Sequence, residues 1–155
     1  MLSYNSSNTP FLLKRDNNML FVWDDNDRTG IDEIDRDHKG LVNLINDLYE
    51  AMQDGSGGAL LLPIFSALKR YTEDHFVKEE RYMVECGAPD QSKHFQEHKR
   101  MAETLADLER RHRHGEAAIS LQTLTFLRDW LKNHICVVDQ AMAAKIKKQA
   151  ERLDT

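Results

Sequence analysis

The stretch SKHFQEHKRMAETLADL, residues 92–108, decides the fold. His94, His98, Met101, Leu105 and Leu108 follow one another at spacings of four, three, four and three, which is the stripe of one buried face of an α-helix. Two histidines therefore point inward together with a methionine and two leucines. An unpaired imidazole is unfavourable in such surroundings, and a metal ion makes it useful.

Working outward, punctuation at Gly55-Ser56-Gly57-Gly58, at Gly87-Ala88-Pro89-Asp90 and from His112 to Gly115 divides the chain into four long segments. The first helix is expected over about 37–54, with Leu41, Leu44, Ile45, Leu48 and Met52 on its apolar side. A second is expected over about 59–86, with Pro63 in its first turn and Ile64, Leu68, Phe76 and Met83 on one side; Gly87 ends it. The third opens after Asp90, a good cap, and the fourth covers about 116–149 with Leu124, Leu127, Leu131, Val138 and Met142. Short connections between long amphipathic helices predict an all-α, up-down-up-down antiparallel four-helix bundle. Phe21 and Trp23 anchor an N-terminal extended arm over it. The expected organisation is an extension over 1–20, the bundle over 21–150 and a tail over 151–155.

With 155 residues, 41% hydrophobic and 30% charged, the chain suits one globular domain. A net charge of −5 argues against nucleic acid and against an anionic membrane surface. No basic segment precedes an apolar run in Met1 to Leu20, and runs such as Ala59 to Leu62 fall far short of the roughly 20 residues that span a bilayer. A soluble, cytoplasmic protein is expected. Cys86 and Cys136 form no disulfide framework and no CxxC pair, and read as small buried hydrophobes.

Each expected helix puts histidine on its apolar side. His38 lies three residues before Leu41; His75 and Glu79 are four apart, about 40° around a helix, and so face one centre. Glu80, one step off that line, reads with Glu73 and Asp74 as a solvated face. His134 is in line with Leu127 and Leu131, but Asp139 comes five residues later, about 140° away on an ideal helix. Both reach one centre only if a wide turn intervenes or the carboxylate reaches in from the edge. His112 and His114 fall in an Arg-rich segment that reads as a solvated loop. Five inward histidines and two carboxylates are too many for one tetrahedral zinc, and suit two ions of iron or manganese bridged by the carboxylates.

The order His38, His75-x-x-x-Glu79, His94-x-x-x-His98 and His134-x-x-x-x-Asp139 resembles the hemerythrin pattern, including its unusual last spacing. Residues 30–39, GIDEIDRDHK, are similar to that family's lead-in to its first helix, and the resemblance covers Phe21 to Ile146. It implies two iron ions, cycling between Fe2+ and Fe3+ with a bridging oxo or hydroxo group. His94, His98 and His134 would hold one, His38 and His75 the other, with Glu79 and Asp139 bridging. Dioxygen would then bind reversibly at the open position of the second iron. By the same resemblance Leu41, Phe76, Trp130, Leu131 and Ile135 line the oxygen pocket, and Trp23 matches the family's N-terminal tryptophan. Met142 departs from the tyrosine of many relatives, which alters the polarity of one pocket edge. The implied role is an oxygen carrier, store or sensor rather than an enzyme, because neutral imidazoles stabilise high-valent iron less well than carboxylates. The alternatives are a diiron enzyme acting on peroxide or nitric oxide, and a sensing module whose iron state a partner protein reads.

Overall fold

The computed structural model describes residues 19–88 and 91–154. Most of the expected extension over 1–20, and the expected cap Asp90, lie outside the described residues. Helix α1 spans Asp32–Gln53, α2 Gly57–Glu85 and α3 Gln91–Arg113. The fourth arm of the bundle is continuous but of three parts: α4 Ile119–Trp130, a π-helical segment Leu131–Asp139, and α5 Gln140–Leu153. α1 packs on α2, α2 on α3, and α4 closes the bundle against α1 and α3. Among the described residues there is no strand, and no helix is long and apolar enough to cross a membrane.

α1 starts five residues earlier than its apolar stripe predicts. Asp32, Glu33 and Asp35 fill its first turn, where carboxylates complement the helix dipole. Ile31 at the cap position has no capping side chain, and Asp35 supplies that chemistry from inside the helix. Its buried carboxylate accepts from the Thr29 amide and hydroxyl, both at 2.7 Å, and from the Gly30 amide at 3.1 Å. Gly30 makes this turn at φ +83°, and a Cβ there would also meet the Lys147 ammonium.

The other ends shift for similar local reasons. Since α2 starts at Gly57, Pro63 stands in its second turn, where it removes the hydrogen bond to the Ala59 carbonyl. Arg110 to Arg113 are not a loop but the last turn of α3, where basic residues suit the carbonyl end. They pair with Asp107, Glu116 and Glu109, and the His112 ring lies 6.2 Å from that of Phe65.

The main core joins Leu41, Ile45 and Leu48 of α1 to Leu61, Leu68 and Phe76 of α2, Met101 and Leu105 of α3, and Leu127, Leu131 and Ile135 of the fourth arm. A smaller cluster of Met83, Ala88, Met142 and Ile146 packs elsewhere in the bundle, with Cys86 against it. Both cysteines are free thiols and half-buried rather than buried. The arm is fastened where Phe21 exchanges two hydrogen bonds with the Asn46 side chain, at 3.0 and 2.8 Å, and Phe21 and Trp23 pack on the main core.

Asp35→Ala leaves the buried donors of Thr29, and the amide of Gly30, without their acceptor. It is expected to destabilise the protein by about 1–3 kcal/mol in denaturant unfolding; a change within a few tenths of a kcal/mol would mean that the turn does not depend on this carboxylate.

Candidate metal centre

Each arm of the bundle delivers imidazole to one region: His38 from α1, His75 from α2, His94 and His98 from α3, His134 from the π-helical segment. All five are buried, as are Glu79 and Asp139, which have no exposed surface. The π-helical segment resolves the spacing of His134 and Asp139. Its hydrogen bonds run from i to i+5, so residues five apart share a face that a regular α-helix would separate.

Two groups of ligand atoms result, each with its members within 4.8 Å of one another: His38, His75, Glu79 and Asp139, and His94, His98, His134, Glu79 and Asp139. Both carboxylates belong to both groups, and their oxygens divide between them. Glu79 Oε1 lies 3.3 Å from His38 Nε2 and 2.6 Å from His75 Nε2, while Oε2 lies 3.3 Å from His94 Nε2 and 3.0 Å from His98 Nε2. Asp139 Oδ2 lies 3.1 Å from His38 Nε2, and Oδ1 lies 3.1 Å from the Nε2 atoms of His94 and His134.

These contacts fit metal better than they fit hydrogen bonds. The Nε2 atoms of His98 and His134 face each other at 3.1 Å. Both Asp139 oxygens, despite their short distances, have no hydrogen-bonding partner of acceptable geometry. Five imidazoles and two carboxylates are a donor set for two ions of the iron or manganese type.

Three imidazoles are oriented from behind. His75 Nδ1 meets Asp37 at 2.9 Å, His98 Nδ1 meets Glu80 at 3.0 Å and His134 Nδ1 meets Glu97 at 2.9 Å. A carboxylate on Nδ1 fixes the tautomer that leaves Nε2 free for a metal. Glu80 is therefore not simply a solvated residue, as its offset from the Glu79 line suggests, and Asp37 and Glu97 were not legible as part of the site. A signal for all three exists: each adjoins a ligand candidate in sequence, a step of about 100° that turns it toward the next helix.

The residues expected around an oxygen pocket lie in the main core. Phe76 stacks on His98 at 3.8 Å and 1°, and Trp130 on His134 at 4.4 Å and 19°. Leu41, Leu131 and Ile135 are fully buried, and Trp23 lies 6.4 Å from the His38 ring. Met142 does not border this wall. It belongs to the smaller cluster and, with Met83 and Glu97, lines a cleft of about 210 Å³ that reaches His94. Tyr71, unremarked in the sequence, stacks on His75 at 4.6 Å. Burial, with the charges of Glu79, Asp139 and Asp37, holds its phenol well above the usual value.

Protonation reflects the crowding. Burial works against a charge on His38 and His134, yet contacts with Asp139 and Glu79 outweigh it and raise their pKa values to about 9 and about 10. Burial and the Glu79 charge push Asp139 upward, but His134, His38 and His94 outweigh them and bring it to about 2.

A four-helix bundle whose interior gathers five histidines and two carboxylates around places for two cations is the class that fold and site define. The chain belongs to the hemerythrin family: the hemerythrin HHE cation binding domain matches residues 29–146. It is 35% identical over 128 residues to a bacteriohemerythrin of Stenotrophomonas maltophilia, covering 83% of this chain and 82% of that one. It is 29% identical over 119 residues to the myohemerythrin of Riftia pachyptila, covering 77% and 88%. A crystal structure of a hemerythrin mutant superposes with a TM-score of 0.70 at 29% identity, covering 83% of this chain and 98% of that one. The family implies a non-haem diiron centre and points to no catalytic activity.

Two outcomes are expected. Glu79→Ala should lower bound iron, measured by elemental analysis, far more than Glu80→Ala, because Glu79 contacts both halves of the cluster and Glu80 only the back of His98; equal losses would refute this ranking. In protein stripped of metal, His38 and His134 have folded pKa values above the ordinary 6.5, so their stabilisation is fully present below about pH 6.5 and is lost as pH rises through 9 to 10. Asp139, lowered from 3.8 to about 2, contributes above about pH 3.8 and loses this as pH falls through 2. The melting temperature of stripped protein should therefore fall between pH 7 and pH 10, and a rise over that interval would contradict the protonated cluster.

Proposed function

We propose that this protein binds dioxygen reversibly at two iron ions, held in a single unit spanning 21–150. His94, His98 and His134 would hold one ion, His38 and His75 the other, and Glu79 and Asp139 both. The observation that carries this reading is the division of oxygens, one oxygen of each carboxylate turned to each histidine group. A diiron pair with two histidines on one ion and three on the other supplies an open position and two electrons that can be lent and recovered.

The chain's own residues do the rest. Asp37, Glu80 and Glu97 keep three imidazoles aimed with Nε2 inward. Leu41, Phe76, Trp130, Leu131 and Ile135 surround the cluster with apolar surface, which excludes water and limits proton delivery. Carrying, storing or sensing oxygen would each use this same equilibrium. Kinship with bacteriohemerythrins and a myohemerythrin supports binding over turnover.

Iron-loaded protein should contain two irons per chain and show an absorption spectrum that changes on admitting oxygen and returns on its removal. One metal per chain, or a change that never reverses, would defeat the proposal. Leu131→Ala removes fully buried bulk from the wall without removing a ligand candidate. It should keep both irons and lose reversibility faster in air; iron intact with an unchanged rate of loss would assign Leu131 to packing alone.

A further inference from the structure

Tyr71 carries a hydroxyl that no group among the described residues uses. It stands one helical turn before His75, stacked on that imidazole at 4.6 Å and edge-on to Phe76 at 5.8 Å. Its oxygen is shut off from solvent and has no hydrogen-bond partner. Its ring stacks on His75, whose Nε2 lies 2.6 Å from Glu79 Oε1, so the tyrosine stands beside the cluster. Buried hydroxyls are almost always partnered, and an orphan is destabilising unless something absent from the folded chain completes it. The apolar residues beside it cannot do so, since Phe76 and Leu41 offer no polar side-chain atom. Tyr71 also lines, with Leu41 and His75, a groove of about 890 Å³ between α1 and α2. The ring thus stands between that groove and the two-histidine half of the centre.

We propose that the Tyr71 hydroxyl donates a hydrogen bond to the small ligand, dioxygen or a small anion, that binds on the His38/His75 side. This rests on the diiron reading above. That half has two imidazoles against three on the other side, and so is the half with room for an exogenous ligand. A phenol protonated at neutral pH is a donor of the right kind for a ligand that gains negative charge or carries it from the start. The hydrogen bond would slow release of the ligand and would favour anions over neutral molecules of the same size.

The test uses iron-loaded, oxidised protein titrated with azide, comparing the parent with Tyr71→Phe and with Tyr49→Phe as a control in the core. Tyr71→Phe removes only the unpartnered oxygen, so two irons per chain and an unchanged or higher melting temperature of the stripped protein are expected. Azide binding should weaken by roughly three- to tenfold, as loss of one hydrogen bond predicts. The azide infrared stretch should shift between H2O and D2O in the parent and in Tyr49→Phe, but not in Tyr71→Phe. Oxygen dissociation should quicken by a similar factor. Equal azide affinity and equal solvent shifts in parent and Tyr71→Phe would overturn the proposal and leave the hydroxyl bound to water only. A clear fall in melting temperature of stripped Tyr71→Phe would also overturn it, by showing a partner within the protein. A parent with fewer than two irons and no azide binding would overturn the diiron reading itself, and this proposal with it.

Discussion

Two carboxylates without solvent contact, Glu79 and Asp139, are the constraint on which the rest of the structure depends. A carboxylate in an apolar interior is stable only with compensating positive charge, and two of them near each other raise the demand further. The bundle answers with five imidazoles from all four arms. In the absence of metal the compensation is protons, which is why His38 and His134 hold theirs to about 9 and about 10. Metal ions replace those protons, so metal affinity, pH and folding are coupled in one equilibrium. The helix-helix contacts around the site are set by the same requirement, because each arm must bring its histidine within reach of the same two acids.

The fourth arm shows how far the site dictates the backbone. A regular helix would turn Asp139 well away from His134 and take its carboxylate out of the histidine cluster. The chain instead runs through nine residues of π-helix, Leu131–Asp139, before returning to α-helix at Gln140. Such segments are rare because their hydrogen bonds and packing are poorer than those of an α-helix, and they recur at functional sites. Here the segment also carries Leu131 and Ile135, both fully buried, so the wide turn is packed on its inner side as well as bound to the cluster.

Six of the seven ligand candidates were legible because they obey helical periodicity, and stripes are visible in a linear sequence; Asp139 stood out of register with His134. The π-helical segment was visible only as a conflict between two residues, and the coordinates are needed to choose a wide turn over a carboxylate reaching in from the edge. Asp37, Glu80 and Glu97 were not legible, since whether an acid beside the stripe meets solvent or a neighbouring imidazole depends on how close the helices pack. The start of α1 was misjudged for a related reason. Its first turn carries no long apolar stripe and is stabilised by Asp35 reaching back to Thr29 and Gly30, a local contact that hydrophobic spacing does not report. Met142, which the family resemblance sets at one edge of the oxygen pocket, lies in the smaller cluster beside Met83, a neighbourhood that helical spacing does not report.

The two halves of the centre differ in how their imidazoles and the groups beside them are held. On the three-histidine side, His98 and His134 each have a carboxylate on Nδ1 and an aromatic ring against one face, from Phe76 and Trp130. Two of its three imidazoles are thus held from behind and on one face, while Asp139 Oδ1, turned to this side, has no hydrogen-bond partner among the described residues. On the two-histidine side, His75 is held by Asp37, but His38 Nδ1 and the Tyr71 hydroxyl are both buried without partners among the described residues. Unsatisfied buried polar atoms are few in folded proteins, and two of them flank the half with fewer ligands. A half with three imidazoles beside a half with two and with spare polar capacity would suit the proposed function, in which one ion stays constant while the other takes and releases a guest. The asymmetry therefore resides in the protein's own hydrogen bonding as well as in the number of histidines, and it supports the proposal that a guest exchanges on the side of His38 and His75.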